Sequence, residues 1–167
     1  MERRLTCAFT GHRPEHLPWG EDEKDKRCAE LKRRLDKSVE KAYADGFRHF
    51  LCGMARGADF YFCESVIALR NRHPEICLEA AVPYLKHGEN WAWKDYCRYQ
   101  HLLAQCDLET LIQRDYNSFC MHRRDIYLVD HASRLIAVFN GDPGGGGTLF
   151  TLSYALSRGV STDILEL

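Results

Sequence analysis

The chain has 167 residues, a length that suits one domain spanning residues 1–167. With 45% hydrophobic and 28% charged residues it is not globally disordered, and a net charge of -1 leaves no global basic field for nucleic acid. No stretch approaches the roughly 20 apolar residues of a membrane span.

Short apolar runs alternate with longer amphipathic ones. Leu5–Thr10, "LTCAFT", reads as a buried strand. The helical stretch 23–46 follows. Within it Cys28, Leu31, Leu35, Val39 and Ala42 recur at three- or four-residue spacing, and Gly46 is its stop. "RHFLCG" is a second strand, and 58–73 a second helix that ends before Pro74. "ICLEAAV" is a third strand, closed by Pro83. A helix over 89–106, a short strand over 108–113 and a helix over 118–132 come next. "RLIAVF" is the fifth strand, 147–159 a helix ending at Gly159, and "STDILEL" the last strand. Strands alternating with helices predict an α/β fold: a Rossmann-like three-layer sandwich with a mainly parallel sheet.

The eight cysteines form no C-x-x-C pair, and most lie in apolar stretches. The apolar run after Met1-Glu-Arg-Arg is too short for a secretory segment. Reduced, mostly buried cysteines of a cytoplasmic protein are expected, with no metal site and no cofactor.

Three strands end in unusual loops. After the first, Thr10, Gly11, His12 and Arg13 place a hydroxyl, a sharp turn, an imidazole and a guanidinium at the sheet edge. The alternative is that His12 and Arg13 cap helices or face solvent. After the second, Gly53, Ala55 and Gly57 permit close backbone approach beside Arg56. Asp59 there suits either a ribose hydroxyl or helix capping. After the fifth comes Asp142–Thr148, "DPGGGGT". Gly144, Gly145, Gly146 and Gly147 lie between strand and helix, where backbone N–H groups and the helix dipole favour a phosphate cradle over a simple tight turn. Thr148 suits a cap or a phosphate oxygen. No Lys follows, so this is not a P-loop, and no G-x-G-x-x-G follows the first strand.

Upstream, Arg123 and Arg124 are adjacent, so on a helix they point about 100° apart: either one reaches the cleft while the other faces solvent, or the run is a solvated charge cluster. Asp125 and Asp130 add carboxylates. Trp91, Trp93, Tyr96 and Tyr99 form an aromatic cluster. It either stacks on a base or packs in the core or an interface, and the helical spacing of Trp93, Tyr96 and Gln100 favours packing.

In their order, "TGHRP", "GMARGAD" and the glycine–Thr loop resemble the SLOG superfamily, which joins the Smf/DprA and LOG groups, and its YpsA-like branch most closely. LOG members carry M-H-x-R-K, an apolar strand, then P-G-G-x-G-T-x-x-E. Here stand Met121-His122-Arg123-Arg124-Asp125, "RLIAVF" and Pro143–Thr148. The resemblance places Arg124 on the LOG Arg that, with the Glu, supports cleavage of a nucleoside monophosphate's N-glycosidic bond. The Lys position is Asp125 and the Glu position is Thr151. A carboxylate is the usual stabiliser or base of such cleavage, and Thr holds no charge at neutral pH. Losing such a group costs roughly 10² to 10⁴ in rate.

The reading therefore favours holding a nucleotide-type small molecule over cutting it, as sensor, regulator or sequestering protein. The enzymatic alternative is an N-glycosidase with Arg124, Asp59 and Asp125 as candidate catalytic residues. A third, single-stranded DNA binding by likeness to DprA, is opposed by the charge balance. The resemblance implies a homodimer or higher homo-oligomer.

Overall fold

A computed structural model describes residues 2–167. Six strands and five helices alternate: β1 (Thr6–Gly11), α1 (Lys26–Ala44), β2 (His49–Cys52), α2 (Ala58–Arg70), β3 (Cys77–Val82), α3 (Trp93–Leu103), β4 (Leu108–Leu111), α4 (Cys120–Asp130), β5 (Arg134–Phe139), α5 (Gly146–Ser157) and β6 (Ser161–Glu166). The strands form one sheet in the order β4-β3-β2-β1-β5-β6, with every neighbouring pair parallel. The expected α/β architecture is present, and its sheet is wholly parallel.

A parallel sheet needs both faces covered, because each strand is apolar on both sides. Phe9, Phe50, Leu78, Ile136 and Val138 belong to one core, with Leu31 and Leu35 of α1, Phe62 and Val66 of α2 and Leu102 of α3. Phe9 and Phe62 stack with ring centroids 4.6 Å apart. Ala8, Leu51, Ala81, Leu135 and Ala137 belong to the other core, with Leu128 and Val129 of α4 and Leu152 and Ala155 of α5. Alternate residues of each strand thus enter opposite layers, as the two-residue period requires. In α1 the buried set is Cys28, Leu31, Leu35, Val39 and Ala42, the stripe read from spacing. Asp25 caps that helix by accepting the Arg27 N–H at 2.8 Å.

α3 departs from its sequence reading. It begins at Trp93 rather than Glu89, because a turn with Gly88 at φ 83° precedes it. Its buried face carries Tyr99 and Leu102, while Trp93 is 76% exposed and Gln100 faces solvent. Trp91, Tyr96 and Tyr99 of the aromatic cluster pack in or against the core, while Trp93 lies at the first turn beyond its reach. No disulfide links the eight cysteines; four of the five buried ones, Cys7, Cys28, Cys52 and Cys63, lie in the layer with α1 to α3. No helix among the described residues is long and apolar enough to cross a membrane.

Candidate functional site

The connections from β1 to β4 step outward in one direction, and the chain then returns past β1 to lay down β5 and β6 on its other side. The order of the strands reverses between β1 and β5, and all carboxyl ends lie on one edge of the sheet. Such a switch point opens a crevice in doubly wound sheets. The register sets Thr10 beside Ala137 and Gly11 beside Val138 there. A cavity of about 340 Å³ occupies the crevice.

Three of its walls were legible as loops. Thr10, Gly11, His12 and Arg13 line it from the end of β1. Asp59 lines it from the first turn of α2, and Gly145, Gly146, Gly147 and Thr148 from the start of α5. Arg124 and Asp125 of α4 complete it. Arg123, one residue earlier, faces solvent and donates to Gln113 Oε1 at 3.0 Å. Of the two adjacent arginines only one enters the cavity, as the 100° step of a helix requires.

The glycine run is a turn followed by a helix start. Asp142 ties the turn: its carbonyl accepts the Gly145 N–H at 3.0 Å and its Oδ1 the Gly144 N–H at 2.8 Å. α5 then begins at Gly146, and the N–H groups of Gly147 and Thr148 donate to no acceptor among the described residues. Free donors at a helix N-terminus carry partial positive charge. Gly145 is the N-cap and has no side chain to offer a capping bond. Thr148 and Thr10 are both buried, line the cavity and have no side-chain partner among the described residues.

Asp59 and Arg124 are held by the β2–α2 turn. Asp59 Oδ2 accepts the Ala55 N–H at 2.8 Å. Arg124 donates from Nη1 to the Gly53 carbonyl and from Nε to Asp125 Oδ1 at 2.7 Å. A Cβ at position 53 would come within 2.8 Å of Arg124 Nη1, so glycine there lets the guanidinium lie on the backbone. Between them Met54 adopts φ 59°, the one non-glycine residue with positive φ among the described residues. Its carbonyl lies 2.9 Å from His87 Nε2. Burial of Asp59 pushes its carboxyl up to about 6, against the opposing pull of Arg124. Burial also raises the cost of charging Arg124, but Asp125 and Asp59 outweigh it and hold its pKa above the ordinary value.

His12 links two of the loops. Its Nε2 accepts the Asn140 N–H at 3.1 Å, tying the end of β1 to the end of β5. Burial and the neighbouring His16 lower its pKa, so the ring is neutral at pH 7 with its proton on Nδ1. Arg13, exposed at the rim, makes no ion pair or side-chain hydrogen bond among the described residues.

Four sequence candidates lie off the wall. Gly53 is behind Arg124. Gly57, at φ 85°, has no room for a side chain: a Cβ would sit 2.7 Å from the His12 carbonyl oxygen. Gly144 is in the exposed turn. Arg56 does not line the cavity and pairs with Glu15 and, at 3.4 Å, with Asp95. Ala55, read as a position of close approach, lines the cavity as well, and the sequence reading did not select His16, Ser118, Met121 and His122, which also line it. The Met121-His122 pair in the α4 motif was the available signal for two of them. Trp91 packs against His87 and Tyr99, with centroids 4.8 and 5.6 Å apart, and lines a smaller pocket that shares Arg13 and Met121 with this cavity.

Thr151, at the position of the LOG glutamate, is fully buried and does not line the cavity. Its hydroxyl donates to the Gly147 carbonyl at 2.8 Å, one turn back along α5.

Sheet order, crevice and glycine-rich helix start define a doubly wound α/β protein of the Rossmann-like class with its cleft at the switch point. The family model described as "YspA SLOG family" matches residues 7–158, and the chain belongs to that family. A UPF0398 protein of Halalkalibacterium halodurans is 23% identical over 122 residues, 72% of this chain and 65% of the relative. The SPbeta prophage-derived protein YoqJ of Bacillus subtilis is 26% identical, over 64% of this chain and 68% of the relative. A UPF0398 protein of Oenococcus oeni is 24% identical over 87% of this chain and 77% of its own length. The match spans 65% of the Halalkalibacterium protein and 56% of a Staphylococcus epidermidis relative, less than two thirds of either.

Proposed function

We propose that the cavity between β1 and β5 binds a nucleotide or a nucleotide-derived ligand and holds it intact. The observation that carries this reading is the convergence of unpaired donors on one crevice. The N–H groups of Gly147 and Thr148, the hydroxyls of Thr10 and Thr148 and the guanidinium of Arg13 meet there without protein partners among the described residues. Backbone donors at a helix start and a free arginine suit a phosphate. Asp59 suits ribose hydroxyls, which donate to a carboxylate. The Thr151 hydroxyl, turned inward to Gly147, leaves the usual glycosidase position without a carboxylate.

Thermal unfolding in the presence of nucleotides and ADP-ribose-type compounds tests this. Ligand at a hundredfold excess over its Kd adds about 2.7 kcal/mol, a shift of several degrees for a chain of this size. Arg13→Ala is expected to cut that shift. A folded protein that no compound of the panel stabilises would remove the reading.

A second reading rests on one observation: Asp59 and Asp125 both line the cavity, and Asp59 sits at about 6, suited to exchanging a proton near neutral pH. In that case the chain is an N-glycosidase that uses a carboxylate from another loop. Release of free base from a nucleotide would support it. Activity unchanged in Asp59→Asn, Asp125→Asn and Arg124→Ala would sink it.

A further inference from the structure

Helix α3 packs on α2, and its Tyr99 and Leu102 join the core with Leu78 and Val82 of β3. Between α3 and the ends of β3 and β4 lies a second hollow, of about 420 Å³. Tyr96, Tyr99 and Leu103 line it from the helix, and Val82, Glu109 and Leu111 from the strands. It shares no lining residue with the nucleotide-type cavity.

Three features of this hollow point to a ligand. Tyr99 is 3% exposed, yet its hydroxyl has no hydrogen-bond partner among the described residues. The hydroxyl oxygen is not itself buried, so a donor in the hollow can reach it. Glu109 makes no ion pair and accepts no side-chain hydrogen bond among the described residues. Lys86 and Glu89, also on the lining, face each other at 3.9 Å and cancel, so the charge left over is the one carboxylate of Glu109. Burial and Glu109 together push the Tyr99 phenol up, so it stays a neutral hydroxyl.

We propose that this hollow binds a small organic cation, a primary amine carried on an apolar body. An ammonium has three donors and no acceptor, which matches a carboxylate and a hydroxyl oxygen that are both unclaimed. The half-buried ring of Tyr96, on the lining, adds the attraction of an aromatic ring for a cation. Val82, Leu103 and Leu111 receive the apolar body. An anion is rejected by Glu109, so the site selects the opposite charge from the cavity lined by Arg13 and Arg124. Because Glu109 is exposed, its charge alone gives little affinity. The apolar contact supplies the rest, so the ligand needs both parts.

The test is a titration of the full chain with phenethylamine, cyclohexylmethylamine and pentylamine, followed by amide and methyl chemical shifts, with phenethyl alcohol as the uncharged counterpart. Saturable binding of an amine is expected, at least tenfold tighter than the alcohol, with shifts at Tyr96, Tyr99, Leu103 and Leu111. Glu109→Gln is expected to weaken it at least tenfold and Tyr99→Phe several-fold, with unfolding curves confirming that both variants fold. No saturable binding by any of the three amines overturns the proposal. So does equal binding of the alcohol, or amine binding unchanged in Glu109→Gln. The result is independent of the nucleotide reading, because neither ligand contacts the other's residues.

Discussion

Single residues at the cavity trade stability for position. Asp59 is held at about 6 rather than 3.8. A carboxyl whose pKa is raised on folding adds nothing unfavourable while protonated, below 3.8, and loses stability as the pH rises through about 6. At pH 7.5 that loss is roughly 3 kcal/mol. Asp59→Asn keeps an acceptor for the Ala55 N–H and removes the charge. It is expected to raise stability at pH 7.5 by up to that amount and by little at pH 4, measured by denaturant unfolding at both pH values. The same variant is expected to weaken nucleotide binding, and binding unchanged in it would leave Asp59 a structural residue. Arg124 is the opposite case. Arg124→Ala strands the Asp125 carboxylate and the Gly53 carbonyl, and about 3–5 kcal/mol of stability is expected to go with it. Gly53→Ala drives a methyl into the same guanidinium, for a loss of about 1–3 kcal/mol in the same assay. Thr151→Glu would bury a carboxylate at a fully buried position. It is expected to unfold at a lower temperature than the parent chain and to gain no glycosidase activity.

At the scale of elements, buried polar groups decide which pieces are fastened together. Glu79, on β3, is 1% exposed and faces α4. Tyr127 of α4 donates to its Oε1 at 2.7 Å and Thr110 of β4 at 2.6 Å. His49 Nε2 of β2 lies 2.8 Å from Oε2, at an angle outside that of a regular hydrogen bond. Burial pushes the Glu79 carboxyl up, but these neighbours outweigh it and hold it at about 2. A depressed carboxyl contributes stability that is present above its ordinary 4.5 and is lost as the pH falls through about 2. Tyr127→Phe removes one donor. A loss of about 1 kcal/mol is expected, with the acid-unfolding midpoint moved to higher pH, read by circular dichroism along a pH titration. Periodicity found these strands and helices, but it had no means to find the Glu79 cluster. "CLEAAV" reads as a strand with one polar letter, and the partners of that letter are 30 and more positions away in the chain. The buried face of α3 was open for a related reason: Trp93, Tyr96 and Gln100 share one spacing, and packing against α2 selects the face of Tyr99 and Leu102.

At the scale of the whole molecule, alternation of strand and helix was enough to specify the three-layer class. Each strand is apolar on both sides and each helix on one, and few arrangements bury all of them. The loops with unusual residues were also legible, because Gly, Arg and Asp clustered at strand ends have no structural average to hide in. The sequence by itself therefore determined the class of fold and most of the residues that line the cavity. The tertiary structure alone decided the strand order, and with it that the crevice opens between β1 and β5. It also decided that Arg56 is spent on Glu15 and Asp95 while Arg13 stays free, and that Gly53 and Gly57 serve contacts behind the wall. It separated Arg124 from Arg123 and turned Thr151 inward. The physical reason is range. Helix and strand periods are local and repeat within a few residues, whereas the pairing of a charge or the filling of a glycine's empty side depends on groups brought together from distant parts of the chain.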